Sequence, residues 1–174
     1  MGLAMTKKIL LFDDVVHERG QKTENKLEGF ASRLQNREHF SCMAILPVDD
    51  RGFRLSDLSV ESMGEWLKTT CIEQQAEGVV IDLAWWGDST FGEKMWDHAR
   101  SNGLLIDSRC VVFISEHATI DERMRILEKN NLNPSQVVYR NADGFDIAAK
   151  WLLNSSTRFL VRYAARANVF RMSA

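Results

Sequence analysis

Two adjacent carboxylates, Asp13 and Asp14, close the apolar run that starts at Lys8, and a third, Asp82, closes the run that starts at Gly78. Carboxylate oxygens are hard donors that suit a divalent cation such as Mg²⁺. In an open α/β sheet, ligands collect outside the carboxyl ends of the strands. Three carboxylates in one pocket repel one another unless a cation neutralises them, so such a grouping has a physical reason to bind metal. Two more apolar runs end in Ser115 and Arg140. A hydroxyl and a fixed positive charge would then face the same pocket.

The elements that must position these side chains are legible as short apolar runs: Ile9 to Phe12, Cys42 to Leu46, Val79 to Leu83, Val111 to Ile114 and Val137 to Tyr139. Runs of this length and composition predict five buried strands. Helical spacing predicts helices over His17 to Leu34, Met63 to Gln75, Phe91 to Ser101, Asp121 to Lys129, and from Phe145 onward. Asp121 is a candidate start for the fourth helix, Asn102-Gly103 an end for the third, and Asp143-Gly144 a turn ahead of the fifth. The stretch from Pro47 to Ser62 has neither periodicity and reads as a long loop. Strands alternating with helices imply a doubly wound parallel sheet with right-handed crossovers. In the order 2-1-3-4-5, the first and third strands are neighbours and the three carboxylates meet at the switch point.

An acid pair, an Asp, a Ser and a base, ending successive strands but skipping the second, resembles the receiver domain of bacterial two-component response regulators. The resemblance covers roughly Thr6 to Leu153, and Gly87 and Gly92 also fall where receivers place a loop and a helix start. It implies a flavodoxin-like α/β fold, a receiver-like unit over 6–153 with an insertion at about 47–62, and a basic helical extension over 154–174. It further implies that Asp82 accepts a phosphoryl group from a sensor histidine kinase or phosphotransfer protein. Asp13, Asp14, Asp82 and the Ala84 backbone carbonyl would hold Mg²⁺, Ser115 would hydrogen-bond the phosphoryl oxygen, and Arg140 would pair with its charge. The chemistry is in-line attack of a carboxylate on phosphorus, with metal and base offsetting charge on the transferring oxygens.

Four departures from the family pattern bear on that chemistry. Arg140 replaces the family's lysine, and a planar fork is a poor copy of a compact ammonium. Glu116 stands where a small residue is usual and would crowd an incoming phosphoryl group. Val137 occupies the place of the switch aromatic, with Tyr139 two residues on and on the same side of the strand. Asn141 replaces the usual proline. The alternative is therefore a pseudo-receiver, a binding module without phosphoryl chemistry whose Glu116 or Arg140 forms an internal salt bridge in the pocket. A phosphohydrolase using Asp82 ranks below both, because Ala84 occupies the place of the second Asp that the common arrangement needs. The expectation is a non-enzyme.

Trp85 and Trp86 follow Asp82 and are expected to pack onto the domain, as are Trp66, Trp96 and Trp151 within helical patterns. The histidines, His17, His39, His98 and His117, lack metal-ligand spacing. Cys42, Cys71 and Cys110 are odd in number, far apart and in apolar settings, which predicts reduced core thiols and a cytoplasmic location. With 174 residues, 45% apolar and 26% charged, the chain has the composition of one globular domain, and it has no apolar run long enough for a membrane span. Its net charge of −2 gives no general attraction for nucleic acid. The tail, however, carries Arg158, Arg162, Arg166 and Arg171 and no acid. A homodimer through this C-terminal helix is expected ahead of nucleic-acid binding.

Overall fold

The computed structural model describes residues 7–13, 40–45 and 58–156. The helix predicted over His17 to Leu34, Asp14, most of the 47–62 excursion and the arginine-bearing tail lie outside those residues. The described elements are β1 (Lys7–Phe12), β2 (Phe40–Ile45), α1 (Val60–Glu73), β3 (Gly78–Asp82), α2 (Phe91–Ser101), β4 (Val111–Ser115), α3 (Ile120–Asn130), β5 (Val137–Tyr139) and α4 (Ala142–Ser156). Single 3-10 turns, Ser108–Cys110 and Pro134–Gln136, lead into β4 and β5.

All strand pairs are parallel, in the order β2-β1-β3-β4-β5. Period-two alternation divides the strand residues between two apolar layers. Leu10, Phe12, Val79, Ile81, Val111, Phe113 and Val137 pack with Met63, Leu67, Met95, Trp96, Ile126 and Leu127 of the helices α1, α2 and α3. Ile9, Leu11, Val80, Val112, Ile114 and Val138 pack with Phe145, Ala148, Ala149 and Leu152 of α4. Because both faces are covered, β3 and β4 are buried along their whole length. This explains why they read as unbroken apolar runs rather than as alternating ones. Gln136 ties the two edges of this region together. Its buried amide donates to the Ser108 and Val111 carbonyls at 2.7 and 2.8 Å, so the starts of β4 and β5 are held in register.

Three helix starts differ from the sequence expectation. Thr119, not Asp121, caps α3, because Thr119 and Glu122 form a reciprocal capping box that satisfies two backbone donors at once. Helix α1 begins at Val60 after the Ser59 cap, so Val60 to Ser62 belong to the helix rather than to the loop. Asp143 and Gly144 lie inside the first turn of α4, and the Asn141 side chain accepts the Gly144 N–H at 2.8 Å. A side chain at Gly144 would run into the Tyr139 carbonyl, so this glycine is a packing requirement rather than a turn signal. Gly92 in the first turn of α2 is seated in the same way against the Asp82 carbonyl, with its N–H on the Leu83 carbonyl at 3.0 Å.

A charged clamp joins α2 to α3. Glu93 is 1% exposed and receives Arg125 at 2.7 Å and Lys129 at 3.0 Å, while Asn130 donates to the same carboxylate at 3.2 Å. A buried carboxylate is tolerated only when paired and hydrogen-bonded.

Candidate functional site

Asp13 directly follows β1, Asp82 is the last residue of β3, and Arg140 directly follows β5. The sheet order places β4 between Arg140 and Asp82, and adjacent strands lie about 4.8 Å apart. Arg140 is anchored there by its own N–H, which donates to the Ser115 carbonyl at 2.8 Å. From that anchor its side chain crosses the end of β4. Nη1 pairs with Asp82 Oδ2 at 3.2 Å, and Nη2 pairs with Asp13 Oδ2. The Arg140 side chain is 4% exposed, and those of Asp13 and Asp82 are 1% and 4% exposed. One guanidinium therefore bridges two buried carboxylates on neighbouring strands. A planar fork with separate donors suits that task, whereas a lysine ammonium would supply one compact charge.

The loop after Asp82 is held by aromatic packing and a tight turn. The Trp85 indole N–H donates to the Asp82 carbonyl at 2.7 Å, and Trp85 is fully buried. Trp85 and Asp88 exchange backbone hydrogen bonds around Trp86 and Gly87, whose φ values of 49° and 88° fit a primed turn. Such a φ is strained for a bulky residue, and neighbouring rings hold it in place. Trp86 meets Trp85 and Phe91 with ring centroids 5.4 and 5.2 Å apart, and Trp85 meets Trp66 at 6.4 Å. The packing expected of both tryptophans is what the chain adopts. Asp88 then accepts from Thr90 and from Lys94 at 2.7 Å. The Lys94 hydrogen bond, with those from Thr90, holds its carboxyl below the usual carboxylate range.

Ser115 ends β4 and is buried, but its Oγ accepts the His117 and Ala118 N–H groups at 3.2 and 2.9 Å. The hydroxyl thus organises its own loop. Glu116, expected to crowd the pocket, is exposed, as is His117. Tyr139 is 37% exposed, and the Arg123 guanidinium lies 4.4 Å over its ring. Arg123 also donates to the Val137 carbonyl through Nη2 at 2.7 Å and Nε at 3.2 Å. This link between α3 and β5 had no signal in the sequence, where Arg123 is one of several charged residues on a helix.

The structure therefore brings Asp13, Asp82 and Arg140 together and places Ser115 on the strand between. Asp14 lies outside the described residues. A divalent cation would have to compete with Arg140 for Oδ2 of both carboxylates, so the described residues as arranged do not fit the metal. Among them, no group of three or more His, Cys, Asp or Glu side chains is arranged to hold one. Arg140, the expected partner of a phosphoryl group, pairs here with Asp82, the carboxylate expected to carry it.

No protein-family model matches the chain. No curated protein matches it either. Among solved structures, it is similar to a two-component response regulator of the LuxR family from Aurantimonas sp. SI85-9A1, at 16% identity and a TM-score of 0.52. That match covers 90% of this chain and 99% of the other. RosB with the bound intermediate OHC-RP is also similar, at 11% identity and a TM-score of 0.49, over 97% of this chain and 88% of the other. At 16% identity the first likeness concerns the fold: the chain shares the α/β parallel-sheet architecture of a response regulator.

Proposed function

We propose that the chain is a receiver-fold signalling domain that acts as a protein-interaction module, with its acid pocket closed by Arg140. The observation that carries this reading is the Arg140 guanidinium bridging Asp13 and Asp82, all three side chains being at least nine-tenths buried. A phosphoacceptor must present a carboxylate oxygen in line with phosphorus, and here an oxygen of Asp82 is engaged by an internal cation. The partner-facing surface in this reading lies along α3. There Ile120 and Met124 are 71% and 48% exposed, beside a groove of about 420 Å³ lined also by Arg123, Leu127 and Leu132. Cys71 and Cys110 are buried thiols, which suits work in the cytoplasm. No helix among the described residues is long and apolar enough to cross a membrane.

The second reading is the phosphorylated switch. Asp82 would take a phosphoryl group from a sensor histidine kinase or phosphotransfer protein, with Mg²⁺ held by Asp13, Asp14 and the Ala84 carbonyl. It is favoured by the arrangement of Asp82, Ser115 and Arg140 at the ends of β3, β4 and β5. In it, Arg140 would transfer from the Asp82 carboxylate to the phosphoryl oxygens. One experiment separates the two. The full chain is incubated with a small phosphodonor and Mg²⁺ and weighed intact. The module reading expects no adduct; an adduct that Asp82→Asn abolishes overturns it in favour of the switch.

A further inference from the structure

We infer that the Asn102-Gly103 peptide at the end of α2 is a self-modifying site that deamidates with water as co-reactant, and that Lys68 of α1 promotes the attack. The inference holds under either reading of the acid pocket. Asn102 is the one asparagine of the chain that a glycine follows, and both residues are exposed. The helix end requires that glycine. The Gly103 N–H donates to the Arg100 carbonyl at 3.2 Å and the Leu104 N–H to the Ala99 carbonyl at 2.9 Å, the two bonds of a Schellman cap. Such a cap sets Gly103 at a φ of 98°, where any side chain would be strained. The Gly103 nitrogen is therefore left unshielded, and among the described residues nothing lies within 4 Å of where a Cβ would stand.

The reaction balances with water alone. The Gly103 nitrogen loses its proton to solvent and bonds to Cγ of Asn102, the Cγ–Nδ2 bond breaks, and Nδ2 leaves as ammonia with a proton returned from solvent. Water then adds across one C–N bond of the cyclic imide, giving aspartate or isoaspartate. Negative charge develops on this amide as its proton leaves, and much of it resides on the Asn102 carbonyl oxygen. Lys68 Nζ donates to that oxygen at 3.3 Å, from a side chain 19% exposed. A cation aimed at the place where charge develops stabilises the transition state. The ammonium also pairs with Glu65 at 2.5 Å, so its help to the amide is that of a partly screened charge.

Two bonds oppose the attack: the Gly103 N–H on the Arg100 carbonyl, and Asn102 Nδ2 on the His98 carbonyl at 2.9 Å. Both belong to the last turn of a helix, where fraying releases them. The product exchanges the donor on the His98 carbonyl for a carboxylate at a helix C-terminus, where the macrodipole disfavours negative charge. Conversion with age would thus loosen the end of α2 and its tie to α1.

The experiment holds the full-length chain at mildly alkaline pH and follows each asparagine by peptide mass mapping over time. The mass gain of an amide-to-acid change should appear at Asn102 ahead of every other asparagine, with a rate that rises with pH. Lys68→Met should slow it by about two- to fivefold, the factor that corresponds to an exposed ion pair of up to about 1 kcal/mol, and Lys68→Arg should retain the rate. A purely structural tie predicts the opposite sign, since freeing the helix end speeds the attack. Lys68→Gln serves in place of the methionine variant if circular dichroism shows that the latter has lost its fold. Asn102→Asp, which matches one product, should lower the melting temperature. Conversion at Asn102 no faster than at the other asparagines would overturn the site, and an equal or faster rate in the folded Lys68 variant would overturn the part assigned to Lys68.

Discussion

Replacing Arg140 with methionine keeps much of the side-chain volume and removes the charge. Asp82 and Asp13 would then be left with side chains 4% and 1% exposed and without the cation that now bridges them. Removing one partner of a buried ion pair costs about 3–5 kcal/mol, because it strands a charge away from water. Two carboxylates lose the same partner here, so the upper part of that range is expected. Urea unfolding followed by tryptophan fluorescence measures the difference, with an unchanged denaturant slope showing that the same surface is exposed. Adding Asp82→Asn should recover part of the loss, and the double-mutant cycle then gives the coupling between the two side chains. A loss below about 1 kcal/mol, the size of an exposed pair, would refute the reasoning by showing that the guanidinium is solvated.

Two other outcomes follow from the core and the helix clamp. Burial pushes the Cys71 thiol up to about 12, so an alkylating reagent at mildly alkaline pH should leave Cys71 unmodified until the protein unfolds, as read by peptide mass mapping. Alkylation of Cys71 under native conditions would contradict its placement between α1 and the sheet. At Glu93, burial raises the carboxyl pKa, but the hydrogen bonds from Arg125 and Lys129 outweigh it and the net shift is downward. A folded value below the unfolded one gives stabilisation that is complete above the unfolded value of about 4.3 and is lost as pH falls through the folded value. Glu93→Gln should therefore lower stability at neutral pH and flatten the acid limb of the stability profile, measured by thermal melts across pH. An unchanged acid limb would assign that limb to other carboxylates.

Strand positions could be read from the sequence because β3 and β4 are covered on both faces, and complete burial leaves an unbroken apolar run. The strand-end identity of Asp13, Asp82, Ser115 and Arg140 followed from the same runs. Helix starts were harder to place. Thr119 and Asp121 are both good caps, and only the reciprocal geometry with Glu122 decides between them. Asp143-Gly144 has the composition of a turn, but Gly144 is there because a helix passes against the Tyr139 carbonyl. At the site, residue types were legible, while the choice between a phosphoryl partner and an internal salt bridge for Arg140 was left open. Whether Arg140 faces an incoming anion or the carboxylates depends on how far its side chain reaches across β4. Likewise, Glu116 turns outward because the Ser115 hydroxyl gathers the next backbone N–H groups into a tight loop, a tertiary detail with no periodic signature.

The stacking of Arg123 on Tyr139 has a consequence for communication through the fold. Arg123 lines the groove on α3, grips the Val137 carbonyl and covers the ring of the residue immediately before Arg140. A ligand that displaced Arg123 on entering the groove would release the last stretch of β5. The chain direction there sets where the Arg140 side chain begins its crossing. Occupancy of the groove and closure of the pocket would then share a coupling free energy, and thermodynamic reciprocity makes that coupling equal in both directions. Opening the pocket would alter affinity at the groove by the same factor by which a bound partner alters the pocket, with a single peptide unit between the two.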